Sequence, residues 1–286
     1  MNEISFNKFL KDYILGSHYK PSDLHDVRKI YPLKKAETQI LGSTIEYVKD
    51  MFLTYCTEPG SVLDIGGSAG NLLYNNDNFI TKYSCLDVVP IARDYGKYLY
   101  PNSNFYFYNK FNWIYNITGD PNAKFPEIEE HDYTFFHNVA ISCDYNDLIE
   151  ILKFAFKRTR KKVIFNVHDK NCTDMLELIY NKYHSTDISG INFPLHVKET
   201  DNKISYLLAT SRKATSRKEE QRIDDIELFN QDKFTPSNKT LKLKSCSAFF
   251  SFYDIDYLRK RLVDTFNCRI ELSNPDTHTT TFEVYK

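Results

Sequence analysis

The sequence predicts an α/β protein built on a doubly wound, mainly parallel seven-stranded sheet that ends in an antiparallel strand pair. Three observations predict it. Short apolar runs alternate with helical patterns between residues 61 and 167. The first run, Ser61-Val62-Leu63-Asp64-Ile65, stops at a glycine-rich turn, as a buried parallel strand does. Residues 255–285 give one helix and then two strands whose link is too short for a crossover. Strands alternating with helices build βαβ units, and their crossovers leave the strands parallel.

Residues 1–60 read as a helical extension ahead of the main domain, 61–286. Phe6, Phe9, Leu10, Tyr13 and Ile14 share one face, and Leu41, Ile45, Val48, Phe52 and Tyr55 repeat the same three-and-four spacing. Gly16, Pro21 and Pro32 punctuate the stretch. Four further strands follow Ser61–Ile65: Tyr83–Val88, Asn104–Tyr108, Asp132–Phe136 and Lys162–Val167. Between the last two, Leu148, Ile151, Leu152 and Ala155 mark a helix, capped by Asp144 or Asn146. Its basic end, Lys157, Arg158, Arg160, Lys161 and Lys162, suits the helix dipole.

Residues of about 170–245 break the alternation and read as an insertion after the fifth strand. They hold a helix near Cys172–Tyr183, then Leu195-His196-Val197 and Ile204–Leu208 around a Thr200-Asp201-Asn202 turn. A tandem pentapeptide follows, Ala209–Lys213 then Ala214–Lys218, and a perfect short repeat is easiest to tolerate in an exposed loop. Ile255, Leu258, Leu262 and Phe266 then form one helical face. Cys268–Leu272 and Thr280–Tyr285 are two strands, and their short connection through Ser273–Thr277 requires an antiparallel pair.

Composition narrows the function. A hydrophobic fraction of 42% supplies a real core. The net charge of −1 lacks the basic bias of a nucleic-acid-binding domain. No stretch approaches the ~20 apolar residues that span a bilayer, and Met1-Asn2-Glu3-Ile4 lacks the basic start of a signal peptide. Cys56, Cys85, Cys143, Cys172, Cys246 and Cys268 are scattered, without ligand spacing, and read as reduced thiols of a cytoplasmic protein.

The chemistry gathers around Asp64. In Asp64-Ile65-Gly66-Gly67-Ser68-Ala69-Gly70, glycines beyond a strand let backbone approach a ligand without a Cβ in the way. A following helix would offer its unpaired N–H groups. Asp87 ends the next strand seventeen residues past Gly70, where an acceptor-only carboxylate can take both hydroxyls of a ribose. A nicotinamide site wants G-x-G-x-x-G, and Ser68 and Asn71 stand where its glycines should be. A hydrolase elbow wants G-x-S-x-G, which Gly66–Gly70 spells, but that elbow normally follows several strands, and helix precedes this one.

The chain resembles the class I S-adenosylmethionine-dependent methyltransferases, a Rossmann-like family whose first strand ends in an acid followed by G-x-G-x-G. Asp64, Gly66 and Gly70 fit that pattern, Gly67 lies within it, and Ser68 replaces the middle glycine. The resemblance makes Asp87, with Val88, the ribose-binding acid segment and Asn109 an adenine contact. It covers residues of about 60–168 and 246–286. It implies S-adenosylmethionine as cofactor and methyl transfer to an oxygen or nitrogen acceptor on a small molecule. An RNA or protein acceptor, docked on Arg212, Lys213, Arg217 and Lys218, and a silent cofactor-binding scaffold are the alternatives.

His137 and His168 stand at the carboxyl ends of central strands, where such sheets bind ligands, and are the candidates for a base or substrate contact. His168-Asp169 brings no further ligands with it, so no metal is expected. The apolar stripe Phe6, Phe9, Leu10 and Tyr13 and the insertion are expected to roof the site.

Overall fold

The computed structural model describes residues 48–73, 78–88, 90–108, 122–140, 143, 145–171, 195–200, 203–209, 247–274 and 279–286. Seven strands form one sheet: β1 (Gly60–Ile65), β2 (Ile80–Asp87), β3 (Asn104–Phe107), β4 (His131–Phe136), β5 (Thr159–His168), β9 (Arg269–Ser273) and β10 (Thr279–Tyr285). Their order is β3-β2-β1-β4-β5-β10-β9. A second, three-stranded sheet runs β6 (Leu195–Thr200), β7 (Lys203–Ala209), β8 (Ser247–Tyr253). The doubly wound, mainly parallel sheet expected from the sequence, with its antiparallel end, is the fold observed.

The chain divides into two compact units, Met1–Phe107 and Tyr108–Lys286. In the first, a helix over residues 48–55 (α1) buries Met51, Phe52 and Tyr55, with Phe52 edge-on to Phe79 at 6.1 Å. The stripe that ends Val48, Phe52, Tyr55 is therefore a real helix face; Leu41, Ile45 and the earlier expectations for residues 1–47 lie outside the described residues. β1 pairs parallel with β2 and β2 parallel with β3. Every residue of β1 is buried, as a strand covered on both faces must be. Helix α2 (Pro90–Leu99) starts on a proline, whose missing N–H costs nothing at the first helical position.

In the second unit, β4 and β5 pair parallel, with α3 (Tyr145–Lys157) between them. β10 lies antiparallel to both β5 and β9. Phe136, Phe165 and Phe282 are register partners across β4, β5 and β10. Their rings stack at 4.9 and 5.0 Å, all three buried. Each such pair contributes about 0.5–1.5 kcal/mol beyond its burial. Helix α4 (Ile255–Phe266) is capped by Asp254, whose side chain accepts from the Tyr257 N–H at 2.9 Å. Asn267 ends it in the left-handed region, φ 48°, and returns its N–H to the Val263 carbonyl.

Three details differ from the reading of the sequence. Asn146 lies inside α3 and does not cap it; Asp144 is outside the described residues. Arg160, Lys161 and Lys162 belong to β5 and not to the helix end. Lys162 reaches Glu283 at 2.6 Å and Arg160 reaches Asp132 at 3.2 Å, so cross-strand pairing explains charges that had suggested a helix terminus. The third is β8. Ser247–Tyr253 is a near-continuous apolar run without clear alternation, so its strand character was not legible.

β8 pairs antiparallel with β7, which forms a hairpin with β6 across residues 201–202. The Lys170 N–H donates to the Tyr253 carbonyl at 2.9 Å, tying β8 to the chain just after β5. The expected helix near Cys172–Tyr183 and the repeat beyond Ala209 lie outside the described residues.

Candidate cofactor site

The turn after β1 is built on three residues in the left-handed region: Gly66 at φ 77°, Ser68 at 56° and Gly70 at 88°. Gly66 and Gly70 adopt it freely. Ser68 does not, at about 1–2 kcal/mol for a residue with a Cβ. Its N–H donates to Asp87 Oδ2 at 2.8 Å, a charge-assisted bond that offsets this strain. The Gly66 N–H donates to the Leu86 carbonyl at 2.8 Å and carries the β1–β2 pairing into the turn.

Gly67 is there for space. A Cβ on it would fall 2.2 Å from Asp64 Oδ2 and 2.4 Å from Asp64 Cγ. The Asp64 carboxyl thus lies directly against the backbone of the turn. The Tyr83 hydroxyl donates to Asp64 Oδ2 at 2.6 Å, with both side chains buried. The Cys85 thiol donates to the Ser68 carbonyl at 3.4 Å.

Burial pushes the Asp64 carboxyl up to about 7; the Tyr83 hydroxyl acts against this and the Asp87 charge adds to it. Burial, with Asp64 alongside, also raises the Tyr83 phenol and the Cys85 thiol well above their ordinary values. Asp64 and Asp87 therefore differ in what surrounds them. Asp64 is enclosed under Gly67, and Asp87 accepts an N–H from the turn at the end of its strand.

Beyond Gly70 the described chain makes a single 3-10 turn, Asn71–Leu73. The N–H groups of Gly70 and Asn71 donate to the Gly67 carbonyl, and that of Leu73 to the Gly70 carbonyl. These three amides close the turn on itself.

The first unit thus brings together Asp64, Gly66, Gly67, Ser68, Gly70 and Asp87, with Val88 half-buried next in the chain. Asn109 lies outside the described residues. The sequence reading missed Tyr83 and Cys85. The two-residue period of a strand does put Tyr83, Cys85 and Asp87 on one face of β2, but it does not show the bond of Tyr83 to Asp64.

In the second unit His137 follows β4 directly and is half-buried. The next residue, Asn138, has φ 56°. Its N–H donates to Asn166 Oδ1 at 2.7 Å, and Asn166 Nδ2 returns a bond to Asn138 Oδ1 at 3.0 Å. This reciprocal pair fixes the chain at the carboxyl end of β4. His168 ends β5, buried, with its ring 5.6 Å from that of Phe252 on β8. The Tyr253 hydroxyl points at the carbonyls of Ala140 and Cys143, at 2.9 and 2.5 Å, and so fastens β8 to the segment after β4. Among the described residues no three His, Cys, Asp or Glu side chains are grouped to hold a metal ion. None of the described helices is long and apolar enough to cross a membrane.

No protein-family model matches the chain, and no curated protein matches its sequence. Solved structures do share its architecture. The PH0226 protein from Pyrococcus horikoshii OT3 is 11% identical with a TM-score of 0.55, over 91% of this chain and 98% of that one. An O-methyltransferase family protein from Burkholderia thailandensis is 9% identical with a TM-score of 0.50, over 93% of this chain and 61% of that one. Identities of this size speak for fold alone. With the sheet order β3-β2-β1-β4-β5-β10-β9 and its antiparallel end, they give this chain the fold of the class I S-adenosylmethionine-dependent methyltransferases.

Proposed function

We propose that this protein binds S-adenosylmethionine at the turn after β1 and catalyses methyl transfer to an oxygen or nitrogen of a small molecule. One observation carries the reading: the Ser68 N–H donates to Asp87 Oδ2 at 2.8 Å, so the acid at the end of β2 is held by the very turn that would meet the cofactor. The donor set fits. Gly66 and Gly70 allow close backbone approach, and a strand-end carboxylate is suited to a pair of ribose hydroxyls. When bound, the cofactor supplies a methyl group on a sulfonium.

The chain's own residues bind and orient. Asp87, with Val88 beside it in the chain, takes the ribose hydroxyls, the backbone of Gly66–Gly70 lies along the cofactor, and Asn109 is the residue the sequence resemblance offers for the adenine. His137 and His168 are the residues that would accept the acceptor's proton or contact the substrate, from the ends of β4 and β5. In this reading residues 1–60 form a helical extension, and the insertion of about 170–245 in the 61–286 domain covers the substrate. The scattered spacing of the six cysteines in the sequence is read as that of reduced thiols in a cytoplasmic setting.

The test is methyl-labelled cofactor incubated with the protein and a cell extract, followed by separation by size. Label in small metabolites is the expected result. Label in RNA or protein would move the acceptor to a macromolecule. Cofactor binding with no transferred label would reduce the protein to a scaffold.

A further inference from the structure

We propose that Tyr83 is a positioning residue of the cofactor turn: its hydroxyl holds the Asp64 carboxyl against the bare Cα of Gly67, and that carboxyl sets where Ser68 presents its N–H to Asp87. The inference rests on the proposed cofactor site and gives its acids different tasks. Asp87 meets ligand, whereas Asp64 acts through the turn.

The geometry carries it. Tyr83 Oη stands 2.6 Å from Asp64 Oδ2, and Tyr83 and Asp64 are 2% and 4% exposed, so water does not compete for the bond. The same Oδ2 is the atom nearest to a Cβ placed on Gly67. Gly67 has no positive φ to explain a glycine, so the contact with Asp64 is what excludes any larger residue. The residue after Gly67 is Ser68, whose strained backbone points its N–H at Asp87. Tyr83, Asp64, Gly67, Ser68 and Asp87 thus form one chain of contacts from the middle of β2 back to its end. Among the described residues the titratable groups acting on Asp64 are Tyr83 and Asp87, with Cys85 beside them.

The hydroxyl stabilises the charged form of Asp64, so removing it makes the carboxyl harder to ionise. The test uses the full chain, labelled with 15N and with 13C at the aspartate carboxyls. In the ligand-free protein the Asp64 carboxyl should titrate near neutrality and the Ser68 amide resonance should follow with the same midpoint. Tyr83→Phe should move both midpoints upward together and weaken S-adenosylhomocysteine binding roughly tenfold, a modest hydrogen-bond loss transmitted through the turn. Asp64→Asn should abolish the inflection at the Ser68 amide. A Ser68 amide that ignores the titration of Asp64, or Tyr83→Phe with wild-type affinity, would overturn the proposal. If Tyr83→Phe does not fold, Gly67→Ala presses on the same carboxyl with the phenol in place; it must disturb the Ser68 amide and weaken binding, and wild-type affinity there overturns the proposal equally. If the wild-type protein binds no S-adenosylhomocysteine, the proposed function fails, while the amide titration still decides whether Tyr83 and Asp64 set the turn.

Discussion

Ser68 and Asp87 are nineteen residues apart in the chain, and the backbone N–H of one donates to the carboxylate of the other at 2.8 Å. The bond fastens the turn after β1 to the end of β2. Only the backbone of Ser68 is used in it, so the side chain is dispensable to that bond and its left-handed φ of 56° is a cost.

Ser68→Gly should therefore stabilise the protein. Relief of the left-handed strain, about 1–2 kcal/mol, exceeds the extra freedom glycine gives the unfolded chain, about 0.4–1 kcal/mol. A rise of about 2 °C in Tm by scanning calorimetry is expected for a chain of this size. A fall in Tm would mean that the serine side chain holds the turn.

Gly96→Ala should destabilise it, although alanine is the better helix former by about 1 kcal/mol. A Cβ at position 96 would stand 2.3 Å from Phe105 Cε1 and 2.5 Å from Cδ1, and Phe105 is a buried residue of β3 facing α2. Overpacking of this kind costs about 1–3 kcal/mol. Urea unfolding should show a lower midpoint with an unchanged slope; a higher midpoint would show that α2 moves freely away from β3.

The Asp64 carboxyl gives a pH dependence whose sign is fixed. Its folded value of about 7 stands above the ordinary 3.8, so the folded state holds the proton more tightly than the unfolded chain. The stability it contributes is complete below about 4 and is lost as pH rises to about 7. Asp64→Asn removes that dependence and leaves an oxygen to accept from Tyr83. Its stability relative to wild type should rise between pH 4 and 7 by on the order of 2–4 kcal/mol and then stay level. Chemical denaturation at pH 4, 5.5, 7 and 8 checks it, and a difference that does not change with pH would place Asp64 in contact with solvent.

Much of the fold was legible because its signals are local. Val62, Leu63 and Ile65 announce a buried strand, Gly66 ends it, and the short Ser273–Thr277 link forces β9 and β10 to run antiparallel. Arg160 and Asp132 show where local reading stops. They are 28 residues apart in sequence, and their pairing at 3.2 Å accounts for a charge on β5 that reads locally as a helix end. Within the candidate site the glycines and Asp87 could be read from spacing. Tyr83 could not be assigned a task, since a phenol on a strand is usually core, and only its distance to Asp64 distinguishes it. Asn166 escaped for the same reason: its two bonds to Asn138 join β5 to the segment after β4 and leave no pattern along the chain.

Calorimetric titration of wild type and Asp87→Ala with S-adenosylhomocysteine decides whether the turn after β1 binds the cofactor through Asp87. One site per chain is expected in the wild type, and a loss of about thirtyfold or more in the variant, from removal of charged hydrogen bonds to the ligand and of the anchor for Ser68, on the order of 2–4 kcal/mol. Absence of binding by the wild type at millimolar ligand, or equal affinity in Asp87→Ala, would contradict it.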